Sequence, residues 1–135
     1  MQMQWYVILS KLLGGLGVSL SIFLITLLFS LPLGLLLSFG RMSRNLILQN
    51  ATKVYISIMR GTPLMLQLFV VYYGPYYIFK VSLHPGYRMT AVYIGFILNY
   101  AAYFAEIYRS GIQSMDRGQY EAAEILGYSK MQCFF

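Results

Sequence analysis

The sequence predicts an all-α integral membrane protein: three transmembrane helices followed by a short cytoplasmic helix. Three observations predict it. The 135 residues are 59% hydrophobic and only 10% charged, with a mean hydropathy of +0.62. A water-soluble domain wets its surface with roughly 25% charged residues, so a bilayer is the better solvent for this chain. The basic residues stand singly between long apolar stretches, where a membrane protein places them to fix orientation. A polar, helix-forming segment at 118–127 then follows the last apolar stretch.

The same composition excludes several functions. The net charge of +6 is not gathered into one basic stripe, so nucleic acid is not an expected partner. Cys133 is the only cysteine, which rules out an internal disulfide and leaves redox chemistry without a resolving thiol. No Gly-x-x-x-x-Gly-Lys-Ser/Thr run occurs, so nucleotide hydrolysis is not expected of this chain. No Ser/His/Asp set, Cys/His cluster or paired carboxylates point to an enzyme, and no metal site is expected.

The first span is expected at about 12–39. No charge occurs between Lys11 and Arg41, and a span needs about 20 apolar residues. A cleaved signal peptide with Lys11 as its basic region is the competing reading. Against it stand the length of the apolar run, the lack of a small-x-small cleavage site and the spans that follow. Ser30, Gly34 and Ser38 repeat every fourth residue, and Gly17 and Ser21 do the same earlier. Such small-residue faces let another helix approach closely in lipid, although small residues also scatter through spans without that purpose. Pro32 is expected to bend the helix.

Between Gly40 and Arg60 lie Arg41, Arg44 and Lys53 without an acid, which places this stretch in the cytoplasm and the N-terminus outside. Trp5 and Tyr6 suit the outer interface. The second span is expected at about 54–79, with Arg60 and Pro63 in its first turns, where proline is tolerated and arginine snorkels. Its end carries Tyr72, Tyr73, Tyr76 and Tyr77, either an outer aromatic belt or part of a polar route. His84-Pro85-Gly86 marks an outer turn, and His84 is read as a loop residue. The third span, about 89–109, carries Asn99, Tyr103 and Glu106 at i, i+4 and i+7, one helical face. An intramembrane carboxylate costs roughly 2.5–3.5 kcal/mol unless it faces protein or water. Glu106 therefore either belongs to a polar solute pathway, where it would favour a cationic amino acid, or is solvated near the interface or paired with Arg109.

After Arg109 the chain turns polar. Gly118 is expected to break the helix before a new one runs to Leu126, with Gly127 as a left-handed C-cap. Two turns are unstable alone in water, so this segment needs a partner surface. Seven basic residues fall on the cytoplasmic side (Arg41, Arg44, Lys53, Arg60, Arg109, Arg117, Lys130), against Lys11, Lys80 and Arg88 outside. The bias predicts N-out and C-in.

Three motifs carry a family resemblance: Arg60-Gly61-Thr62-Pro63-Leu64 with Gln67-Leu68-Phe69 and Tyr72-Tyr73-Gly74, then residues 103–112, then Gly118-Gln119-Tyr120-Glu121-Ala122-Ala123 with Gly127. In this order and spacing the chain resembles the polar amino-acid permeases of ATP-binding-cassette importers. The likeness covers nearly the whole chain as the N-terminal part of one five-span permease domain, in a bacterial inner membrane. It implies pairing with a second permease copy or paralogue, two ATPase subunits and an extracytoplasmic amino-acid-binding protein. ATP and Mg²⁺ would sit on the partner ATPase, with no cofactor in this chain. The last motif resembles the EAA loop, a coupling helix that docks on the ATPase, and gives that role to Gly118, Gln119, Glu121, Ala122, Ala123 and Gly127. Substrate contacts in some members map onto Asn99, Tyr103 and Glu106. Such permeases continue through an Ile-x-Leu-Pro ending into two more spans, so a fragment or a truncated, inactive gene product is expected. A non-transporting oligomeric scaffold or small channel is the alternative, but it leaves residues 118–127 without a purpose.

Overall fold

The computed structural model describes residues 2–80, 82 and 84–134. Val81 and Leu83 of the expected outer loop, and the two terminal residues, lie outside the described residues. The described residues form six helices: α1 (Gln2–Arg41), α2 (Leu46–Gly61), α3 (Leu64–Phe79), α4 (Tyr87–Gln113), α5 (Arg117–Ile125) and α6 (Lys130–Phe134). Two of these, α1 and α4, are long and apolar enough to cross a membrane, and the bent pair α2–α3 makes up to three crossings. At 1.5 Å per residue α1 is about 60 Å long and α4 about 40 Å. Helix α1 thus starts well before the expected boundary, and Pro32 lies inside it without ending it.

Small side chains set how closely the helices pack. A Cβ built on Gly34 would lie 2.6 Å from Phe104 Cβ and 3.1 Å from the Ala101 carbonyl oxygen. The backbones of α1 and α4 therefore meet with nothing between them. Ser30 and Ser38, one turn to either side, are fully buried, as are Ala101, Ala102 and Ala105 of α4. In lipid, where apolar surface gains little by leaving its solvent, this van der Waals fit is the main attraction between helices. Gly17 meets nothing within 4 Å, so the earlier small pair makes no such seam, although Ser21 lies 3.2 Å from the Tyr93 hydroxyl.

The contacts also fix directions. Ser21 lies by Tyr93, Gly34 by residues 101–105 and Arg41 by Glu106, so α1 and α4 run parallel. Leu68 packs against Gly95, while the Tyr87 hydroxyl donates to the Val71 carbonyl, so α3 runs antiparallel to α4. Out, back and out again is the path of α1, α3 and α4.

The second expected span differs from expectation. It is two helices meeting at 111°, and Pro63 lies at the N-cap of α3 with extended backbone. Asn45 caps the start of α2 by accepting the Ile47 N–H. Helix α2 then crosses α1 and α4, burying Thr52 and Ile56 and passing the Tyr55 hydroxyl to the Leu98 carbonyl at 2.8 Å. Helix α3, at 16 residues, is about 24 Å long.

The end of α4 differs as well. Gly118 does not break the helix but lies within the first turn of α5. The N-cap is Asp116, whose carboxylate accepts the Gly118 N–H. Gly127 has φ of +80°; its N–H donates to the Glu124 carbonyl and that of Tyr128 to the Ala123 carbonyl, the paired bonds of a Schellman C-cap.

Candidate functional site

Two constellations and one exposed helix hold the residues singled out by sequence. The first constellation surrounds the α2–α3 break. In an unbroken helix the N–H of residue 63 would donate to the carbonyl of residue 59, but proline has no N–H. The freed Met59 carbonyl receives two side chains instead: Gln67 Nε2 at 2.9 Å and Asn99 Nδ2 at 3.2 Å. Asn99 also donates to Gln67 Oε1 at 2.9 Å, and Gln67 donates on to the Thr62 carbonyl and hydroxyl. Thr62 returns its own hydroxyl and N–H to the Ile58 carbonyl. An unpaired carbonyl in a membrane interior costs several kcal/mol. Gln67 and Asn99 meet that cost, and Asn99 is buried, at 5% exposure.

The second constellation is built on Glu106. Its Oε2 accepts from Arg109 Nη2 at 2.6 Å and Arg109 Nε at 3.0 Å. Arg41 Nε lies 3.8 Å from Oε1 and Arg60 Nη1 4.0 Å from Oε2. Arg109 passes Nη1 to Gln113 at 2.6 Å, and the Arg60 guanidinium stands 5.5 Å over the Tyr103 ring. One carboxylate thus ties α1, α2 and α4 together. The ion pair between Glu106 and Arg109, one of the arrangements expected from sequence, is present. Guanidinium groups surround the carboxylate, which leaves it little pull on a cationic solute. Asn99, Tyr103 and Glu106 share a face of α4, but Asn99 faces the break and Glu106 the arginines. Sequence reasoning passed over Gln67, Arg41 and Arg60 as partners. Pro63, four residues after Met59 and four before Gln67, was the available signal for the first.

The third feature is α5. Gln119, Tyr120, Glu121, Ala122 and Glu124 are exposed, and Ala123 is half-buried. Ile125 and Leu126 are 86% and 74% exposed. Residues 118–127 therefore fall on α5 and its C-terminal cap, a helix capped at both ends and held away from the bundle, with an apolar tip facing outward. His84 accepts the Gly86 N–H within its own turn.

Comparison with known proteins shows the family. The family described as "Binding-protein-dependent transport system inner membrane component" matches residues 30–135. The chain is 44% identical over 119 residues to "Probable amino-acid ABC transporter permease protein YckA" of Bacillus subtilis (strain 168), covering 87% of this chain and 50% of that protein. It is 42% identical over 125 residues to "L-cystine transport system permease protein TcyL" of the same organism, covering 88% and 51%. A solved structure, "Crystal structure of an amino acid ABC transporter with histidines", superposes with a TM-score of 0.72 at 33% identity, covering 85% of this chain and 52% of that one. The chain spans about half the length of the relatives it matches. The family match spans most of the chain, and the chain belongs to the family of binding-protein-dependent transport system inner membrane components.

Proposed function

We propose that the chain acts as permease for ATP-driven uptake of polar amino acids, with α5 as the element that couples it to the ATPase. The supporting observation is α5 itself. A nine-residue helix is too short to persist in water unaided, yet this one is capped at both ends and presents Ile125 and Leu126 outward. A docking groove on a partner gives that surface a reason. Gly118, Gln119, Glu121, Ala122, Ala123 and Gly127 carry the contact, the alanines by permitting close approach and Gly127 by ending the helix cleanly. ATP and Mg²⁺ belong to two partner ATPase subunits. A second permease copy or paralogue completes the membrane domain, and an extracytoplasmic binding protein delivers the amino acid. The excess of basic residues near α2 and after α4 supports an N-terminus outside and a C-terminus in the cytoplasm.

Asn99, Tyr103 and Glu106 stand as the substrate-pathway face, with Asn99 and Glu106 reaching solute only if their present bonds exchange. Two experiments test the reading. Tagged chain in detergent captures the ATPase subunit, and Glu121→Ala or Gly127→Pro lowers that capture at least tenfold; undiminished capture rejects the coupling role. In the full-length subunit, Glu106→Gln shifts substrate affinity or selectivity, and no change in either removes Glu106 from the pathway. A scaffold or channel that does not transport shows no ATPase capture at all.

A further inference from the structure

The Glu106 constellation carries more positive charge than its own chemistry uses. Arg41, Lys53, Arg60 and Arg109 surround two depressions of about 480 and 490 Å³, and Glu106 is the one acid lining either of them. Arg109 alone makes hydrogen bonds to that acid. Arg41 and Arg60, at 3.8 and 4.0 Å, lie beyond hydrogen-bonding distance. Their guanidinium donors are oriented by the carboxylate without being consumed by it. Lys53 and Arg60 are exposed, and so are Ser57, Gly61, Ser110 and Gly111 along the rims.

The depth of the cluster selects the ligand. Arg41 closes α1 after 29 uncharged residues (12–40), about 43 Å of helix against a hydrocarbon core of about 30 Å. Arg41 and its neighbours therefore stand at the membrane–water boundary. Ile107, 61% exposed, lines one depression, and Ile56 of α2 lines the other. Guanidinium groups at headgroup depth above an exposed aliphatic side chain fit a molecule with an anionic head and apolar tails. We propose that Arg41, Lys53 and Arg60 bind the phosphate of an anionic phospholipid, whose acyl chains lie along the exposed Ile107. Arginine grips phosphate through two parallel N–H donors, and basic pockets between membrane helices on the cytoplasmic side hold anionic headgroups. The inference rests on the cytoplasmic placement of α2 proposed above, and it is independent of ATPase coupling.

Native mass spectrometry of the detergent-solubilised chain, with phosphatidylglycerol or phosphatidylcholine added at equal concentration, tests it. The chain retains phosphatidylglycerol preferentially. Lys53→Gln and Arg60→Gln each reduce that preference by about fivefold, given roughly 1 kcal/mol per basic residue near an anionic surface, and together they abolish it. Lys11→Gln, at the other end of α1, leaves it intact. Equal retention of the two lipids overturns the proposal and leaves an acidic protein segment as the better occupant. Loss of the preference in Lys11→Gln also overturns it, by reducing the effect to net charge. Should the double variant aggregate, Lys53→Gln alone decides, because this exposed side chain supports no packing. ATPase capture measured in parallel keeps the two readings separate: its failure beside intact lipid selectivity rejects the coupling role only.

Discussion

Met59 offers a single carbonyl oxygen to two amide side chains, and the energetics of the break concentrate there. Removing either donor leaves that oxygen half-served, at a cost of about 1–3 kcal/mol. Gln67→Ala and Asn99→Ala should therefore each lower the thermal midpoint in detergent. The double variant should lose less than the sum, because the two side chains bond each other as well as the same acceptor. Strict additivity would mean that they act independently. Gly34 makes a complementary prediction. A methyl group there meets Phe104 Cβ at 2.6 Å and the α4 backbone just beyond, so Gly34→Ala should destabilise by about 1–3 kcal/mol, the usual cost of overpacking. Gly17→Ala, facing open space, should stabilise by about 1 kcal/mol through helix propensity alone. Thermal unfolding of the two variants side by side separates packing from propensity.

At the level of elements, the caps of α5 decide whether it is formed before a partner arrives. Asp116→Ala should cost about 1 kcal/mol of local stability. Gly127→Ala should cost a similar amount, about 1–2 kcal/mol, because φ of +80° crowds a Cβ. Amide hydrogen exchange at 119–125 should quicken in both variants while α4 stays protected; unchanged exchange would show that α5 holds without its caps. Gly127 was legible in sequence because the left-handed conformation has few residues that can fill it. Asp116 was equally legible by its chemistry but was hidden beside Gly118, whose reputation as a helix breaker masked the better N-cap two residues earlier. The α2–α3 break was half legible. Asn45 as an N-cap and Pro63 as a terminator bracket a separate helix, yet a proline in the first turn of a longer helix satisfies the same local rule. Contact with α4 through Asn99, forty residues away, decides between them, and no local pattern carries that information. The α1–α4 seam was legible as a repeat of small residues, but the helix that fills it was not.

For the molecule as a whole, Glu106 joins three helices at one end of the bundle while the Gly34 seam joins two of them at mid-depth. Glu106→Gln should lower the melting temperature by several degrees and make it less sensitive to added salt, since the ionic part of the tie is then gone; equal salt dependence in both proteins would deny the cluster that role. The parallel directions of α1 and α4, with α3 antiparallel to α4, followed from the three successive apolar stretches in the sequence, because successive spans must alternate. Burial of Asn99 did not follow, since an asparagine on a polar face reads the same whether it meets solute or protein. The seam has a mechanical consequence. At Gly34 no flexible side chain separates the two backbones, so α1 and α4 cannot slide past each other there in small steps, and the pair acts at that depth as one beam. Helix α5 hangs from that beam by residues 114–116, the first of which is bonded back to Ser110 and Gly111. Under the coupling role proposed for α5, a torque there would pass through α4 to α1 at the Gly34 contact, and the displacement would grow with distance along both helices.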